Sequence, residues 1–139
     1  MPDPFDLQRF VDAQAPVYDC VLAELGRGRK TSHWMWFIFP QLAGLGRSAM
    51  AERYAIRSVA EARAYLDHPI LGPRLLSCVR QVNAVEGASI TQILGSPDDV
   101  KFQSSLTLFA LAAADQAIFR GALDKYFGGS EDAATLALT

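Results

Sequence analysis

The sequence predicts a mainly α-helical protein: a single compact domain over residues 1–139, with about seven helices around one buried central helix. Three observations predict it. Apolar residues recur at helical spacing, at Val17, Cys20, Val21, Leu22 and Leu25, and again at Leu71, Leu75, Leu76, Cys78, Val79 and Val82. Helix-start residues stand where such patterns begin; Ser58 with Glu61 and Ser89 with Gln92 have capping-box spacing. The composition, 50% hydrophobic and 20% charged, is that of a globular protein, and 139 residues suffice for a real core. Strand patterns are poor. The run Trp36 to Phe39 is the one apolar stretch that also reads as a short strand.

Taken in order, Asp6 is placed to cap a first helix carrying Leu7, Phe10 and Val11 on one face. Pro16 suits the first turn of a second helix, ended by Gly26 and Gly28. Ser32 is a cap for a short buried helix through Phe39, stopped by Pro40. Residues 41–47 read as a loop, and Ser48 caps a turn through Tyr54. Ser58 opens a helix to Asp67, and His68-Pro69 breaks the chain, with His68 capping or packing. A longer helix runs from Ile70 or Pro73 to about Val85, and Ser89 opens a single turn ending at Gly95. Ser96-Pro97-Asp98-Asp99 is a strong start for the central helix, which runs to about Ala113 and is apolar nearly all round in its second half. A last helix covers Gln116 to Phe127, and the tail from Ser130 is expected to dock weakly or fray.

Charge narrows the function classes. Thirteen Lys and Arg against fifteen Asp and Glu give a net charge of -2, which disfavours duplex nucleic acid as a partner but allows a local cationic pocket. Cys20 and Cys78 make no disulfide framework and read as buried free thiols. Met1-Pro2-Asp3-Pro4 has no basic region followed by an apolar stretch, so no signal peptide is expected. The longest apolar runs are too short for a bilayer, so cytoplasmic location and no membrane partner are expected. Two histidines and two cysteines far apart show no metal spacing. Gly44 and Gly46 belong to neither a P-loop nor a dinucleotide fingerprint, so no metal or cofactor is expected.

Two polar islands stand out against this apolar background. The first is the stretch Arg29-Lys30-Thr31-Ser32-His33-Trp34-Met35-Trp36-Phe37-Ile38-Phe39-Pro40-Gln41. It sets cations, hydroxyls and an imidazole against tryptophans and phenylalanines, a mixture suited to stacking a flat ligand and holding an anion. The second lies on the central helix, where Lys101, Ser104 and Ser105 share a face and Asp98 stands one turn before Lys101. If both converge on one cleft, Arg29, Lys30 and Lys101 hold phosphates, Trp34 or Trp36 stacks a base, and Ser104 and Ser105 bond a ribose. Ser32 and Gln41 add polar contacts, and His33, Asp98 and Lys101 are the catalytic candidates, with the proton handled by His33 or Asp98. The ligand would be a small, phosphate-containing, nucleotide-like molecule. The other reading is a non-catalytic interaction module, whose polar islands fasten loops to helices and whose aromatics are core.

That first stretch, with Gly44-Leu45-Gly46, Tyr54-Ala55-Ile56, His68-Pro69-Ile70-Leu71-Gly72, Pro97-Asp98-Asp99-Val100-Lys101 and Ser104-Ser105-Leu106-Thr107-Leu108-Phe109, resembles domain of unknown function 1810, a bacterial family some of whose members carry the label calpastatin. The resemblance covers nearly the whole chain and implies a small, mainly helical cytoplasmic domain. The arrangement is also distantly similar to the NADAR superfamily. That likeness implies NAD or ADP-ribose chemistry, such as an N-glycosidase-type hydrolysis of an ADP-ribose derivative.

Overall fold

Ten helices make up the described part of the chain, and four of them pack on a fifth. The computed structural model describes residues 3–139; Met1 and Pro2, with which the segment read for a leader begins, lie outside the described residues. The helices are α1 (Gln8–Gln14), α2 (Tyr18–Gly26), α3 (Met35–Ile38), α4 (Ala49–Arg53), α5 (Val59–Asp67), α6 (Leu71–Ala84), α7 (Ile90–Leu94), α8 (Asp98–Ala112), α9 (Ala117–Phe127) and α10 (Ala133–Leu138). The count exceeds seven because α4 and α7 are pieces of about one turn and because the tail forms α10. Among the described residues there is no strand; a single parallel bridge joins Leu42 to Ile56.

The central helix α8 packs against α5, α7, α9 and α10, with Phe102 and the run Ser104 to Ala110 buried. No side of it lacks a neighbour, which is why its sequence is apolar nearly all round. Aromatic pairs run through the otherwise aliphatic core. Phe10 meets Tyr65 edge-on at 5.2 Å, Tyr65 meets Phe109 at 5.2 Å, and Phe39 meets Phe102 at 4.8 Å. Offset and edge-on aromatic pairs add about 0.5–1.5 kcal/mol each beyond area burial. Helices α5 and α6 touch closely at Gly72, where an added Cβ would lie 2.1 Å from the Leu66 carbonyl oxygen.

Local helix signals succeed where both partners lie within one turn. Ser48, Ser58 and Ser89 each accept a hydrogen bond from the amide three residues on, and Ser89 with Gln92 completes a capping box. His68 Nδ1 accepts from the Ile70 and Leu71 amides at the start of α6. Four assignments are corrected. Asp6 has a left-handed backbone (φ 52°), and the Asp3 carboxylate accepts from the Leu7 and Gln8 amides in its place. Those amide bonds hold the Asp3 carboxyl below its ordinary pKa. Ser32 does not cap α3, which starts after Trp34, and Ser96 does not cap α8, which starts after Pro97 with no side-chain cap. Cys20 is exposed rather than buried, whereas Cys78 is buried, and burial pushes its thiol up to about 12.

Candidate functional site

The first polar island is organised by a carboxylate that no motif announced. Glu24, on α2, is 1% exposed. Its Oε1 accepts from the Thr31 amide at 2.6 Å, the Ser32 amide at 2.9 Å and Trp34 Nε1 at 3.1 Å. The exposed Cys20 thiol donates to its Oε2 at 3.0 Å. Burial alone would raise the Glu24 pKa, but the bonds from the Cys20 thiol and from the Thr31 and Ser32 amides outweigh it and hold the carboxyl well below the usual range. Glu24 thus fixes the loop that presents Lys30 and Trp34.

Lys30 then reaches the second island. Its Nζ lies 2.9 Å from Asp98 Oδ2, and Lys101 Nζ lies 3.7 Å from Asp98 Oδ1. Lys30 sits over the Trp34 ring at 5.0 Å and Lys101 over the Trp36 ring at 5.6 Å. The structure therefore joins the two islands, as two ammoniums on one carboxylate between two tryptophans. Of the two ammoniums, Lys101 is the one beside Trp36, and its distance to Asp98 is the longer.

Trp36 leads to the cleft. The main chain pairs across the bridge, with the Ala43 amide donating to the Ile56 carbonyl at 2.7 Å and the Ile56 amide to the Gln41 carbonyl at 2.8 Å. This closes the segment 41–56, with α4 inside it, into a cup. The cup encloses about 280 Å³ and includes Trp36, Gln41, Glu52, Tyr54 and Arg57 in its lining. Gly44 and Gly46 form part of the wall, and a Cβ on Gly46 would meet Ala51 Cβ at 2.5 Å. Arg57 also lines an adjoining open cavity of about 610 Å³, with Pro4, Phe5, Asp6, Arg9, Arg53 and Glu61.

The other nominated residues fall elsewhere. Trp34 is core at 1% exposure, so it is not a stacking surface; Trp36, half-buried, faces the cleft. Ser104 and Ser105 are buried, and the Ser104 hydroxyl donates to Asp132 Oδ2 at 3.0 Å, which ties α8 to the start of α10. Neither Ser104 nor Ser105 is in the lining of the cleft. Lys30 and Lys101 are held by Asp98 rather than free for phosphate, and Asp98 is engaged by both. His33 and Arg29 are exposed, outside the cleft lining; Ser32 is half-buried and its amide serves Glu24.

Sequence reasoning missed Glu52, Tyr54, Arg53 and Arg57. They stand in an unremarkable short helix and the loop after it; the pairing of residue 42 with residue 56 brings Glu52, Tyr54 and Arg57 to the Trp36 cleft, and Arg53 lines the cavity beside it. Arg9 was also missed. Its guanidinium donates to the carbonyls of Arg53, Phe5, Asp6 and Ala55 and meets Glu61 Oε2 at 3.1 Å, so it is a clamp that holds the cup to α1.

A family model described as "Protein of unknown function (DUF1810)" matches residues 4–139. The chain belongs to the DUF1810 family. The matched span takes in every residue of both cavities. The chain is also similar to a protein of known crystal structure, the conserved hypothetical protein Rv1873 from Mycobacterium tuberculosis. The two are 59% identical with a TM-score of 0.97, over 98% of this chain and 97% of that chain. No curated protein matches. The family match carries the resemblance to DUF1810, and nothing in these matches carries the likeness to NADAR. No helix among the described residues is long and apolar enough to cross a membrane.

Proposed function

We propose that this DUF1810 protein binds a small, flat, anionic molecule of nucleotide type in the Trp36 cleft. The observation that carries the reading is the meeting of unlike groups in one concave site. Trp36 and Tyr54 supply aromatic surface, the Gln41 amide and Glu52 carboxylate supply hydrogen-bonding edges, and Arg57 supplies a cation. Lys101, the ammonium of the Lys30–Asp98–Lys101 triad over the Trp36 ring, adds a cation beside the cleft. Cleft size bears on the ligand. At about 280 Å³ it is at the lower edge of the roughly 300–1,000 Å³ usual for small-molecule pockets. It suits one ring system with a short arm, and the rest of an ADP-ribose or NAD derivative would lie outside it.

In an enzymatic version, an N-glycosidase-type hydrolysis of such a ligand, Glu52 takes the proton-handling role in place of His33 or Asp98, because it is the carboxylate that lines the cleft. A thermal-shift panel of nucleotides, ADP-ribose, NAD and sugar phosphates tests the binding reading, since a ligand of the native state raises the melting temperature by mass action. We expect a rise with at least one member of the panel, lost in Trp36→Ala. A flat response to every member overturns the reading.

A further inference from the structure

The Trp36 cleft and the cavity beside it share a single residue, Arg57, and the second cavity is rich in guanidinium. Three arginines and two carboxylates line it, but they are not equivalent. Arg9 is wholly engaged with carbonyls and with Glu61, so that pair cancels and offers nothing to a ligand. Arg53 and Arg57 are exposed, and neither is ion-paired among the described residues. Arg53 rests over the Tyr54 ring at 5.6 Å, and Tyr54 lines the cleft. The ammoniums assigned to phosphate from the sequence are held by Asp98, whereas Arg57, in the lining of both cavities, and Arg53, in that of the second, are not.

We infer that Arg53 and Arg57 form a phosphoryl subsite, and that the ligand is a phosphate monoester of a ring-bearing nucleoside. This inference rests on the Trp36 reading of the cleft. The ring stacks on Trp36, Gln41 and Glu52 take its polar edge, and the phosphoryl group leaves the cleft past Arg57 into the arginine cavity. There two planar forks meet its oxygens, a geometry to which guanidinium is suited and ammonium is not. The inference requires Arg53, which lines the second cavity and not the cleft itself, to govern affinity through the phosphate.

Titration calorimetry with the four common ribonucleoside 5′-monophosphates, each against its parent nucleoside, tests it. At least one monophosphate is expected to bind about tenfold tighter than its nucleoside, the scale of one charge-assisted contact. Arg53→Gln should erase that advantage, so that monophosphate and nucleoside bind alike, while Arg53→Lys restores only part of it. Trp36→Ala should weaken both members of the pair. Equal binding of nucleoside and monophosphate overturns the subsite and leaves the Trp36 reading standing. A full advantage in a folded Arg53→Gln variant overturns the assignment to Arg53. Failure of both members of every pair to bind overturns the subsite and counts against the cleft as well.

Discussion

Replacing Glu24 by glutamine removes one charge and keeps the shape of the side chain. The wild-type carboxylate accepts three N–H bonds at one oxygen and a thiol bond at the other. A hydrogen bond to a charged group contributes about 1.5–3 kcal/mol, a neutral one about 0.5–1.5, so each bond weakens by roughly 1 kcal/mol. The Thr31 bond lies at an exposed residue where water can compensate, and the thiol bond is weak, which leaves the Ser32 amide and the buried Trp34 indole. The expected cost is therefore about 2 kcal/mol. With a urea slope of about 1–3 kcal/mol per molar, the midpoint should fall by about 1 M.

The pH dependence separates this account from a simple packing loss. Glu24 has its pKa lowered in the folded state from an ordinary value of 4.5. Its contribution is fully present above that value and is lost as pH falls toward the folded one. The wild type should thus outlast Glu24→Gln by the full amount near neutrality and by progressively less below pH 4.5. Asp3 shows the same direction but is common to both proteins and cancels in the difference. Urea melts of the two proteins at about pH 7 and about pH 3 make the comparison. A gap equal at both pH values would refute the ionised, multiply bonded Glu24.

Gly72→Ala should cost on the order of 3 kcal/mol or prevent folding, because its Cβ would meet a backbone oxygen at 2.1 Å that cannot rotate away; a thermal melt reads this directly. Asp98→Ala leaves two ammoniums facing each other, one of them on a Lys30 side chain only 8% exposed, and should cost about 2–4 kcal/mol. Lys101→Ala, which leaves the closer Lys30 pair intact, should cost under about 1 kcal/mol by denaturant titration. Asp132→Ala removes the acceptor for the Ser104 hydroxyl and for both the amide and hydroxyl of Thr135. It should expose α10 to limited proteolysis at an unchanged urea slope.

How much was legible in advance follows from the distance between partners. The Ser48, Ser58 and Ser89 caps involve residues one turn apart, so the sequence states both halves of each interaction. The buried character of α8 was readable because its apolar residues circle the helix. The burial of Glu24, Gln14 and Glu61 was not readable. Glu24 is covered by the loop that follows its own helix, Glu61 beyond its place near the Ser58 cap meets Arg9, and Gln14 donates to the Phe37 carbonyl at 2.7 Å and to the Tyr65 hydroxyl at 3.0 Å. In the sequence Glu24 and Gln14 look like ordinary polar positions on amphipathic helices. Lys30 and Asp98 were nominated as neighbours of a ligand because they interrupt apolar stretches; the interruption was real, and what it marked first was each other. The cup depends on one bridge between residues 42 and 56, which no periodic pattern encodes.

Leu138 sits over the rim of that cup, where its Cδ1 would be 3.4 Å from a Cβ on Gly44. At the other side Pro4, Phe5 and Asp6 line the arginine cavity. Segments from opposite ends of the sequence therefore buttress one site, and helix α10 supports it without touching what it holds. Short peripheral helices open locally at far lower cost than the whole domain. Each opening of α10 would leave the core intact and the glycine wall unsupported, so the affinity measured for a ligand would include the free energy of docking that helix. Amide exchange in residues 133–138 should slow when the cleft is filled, reporting occupancy from a helix that makes no contact with the ligand.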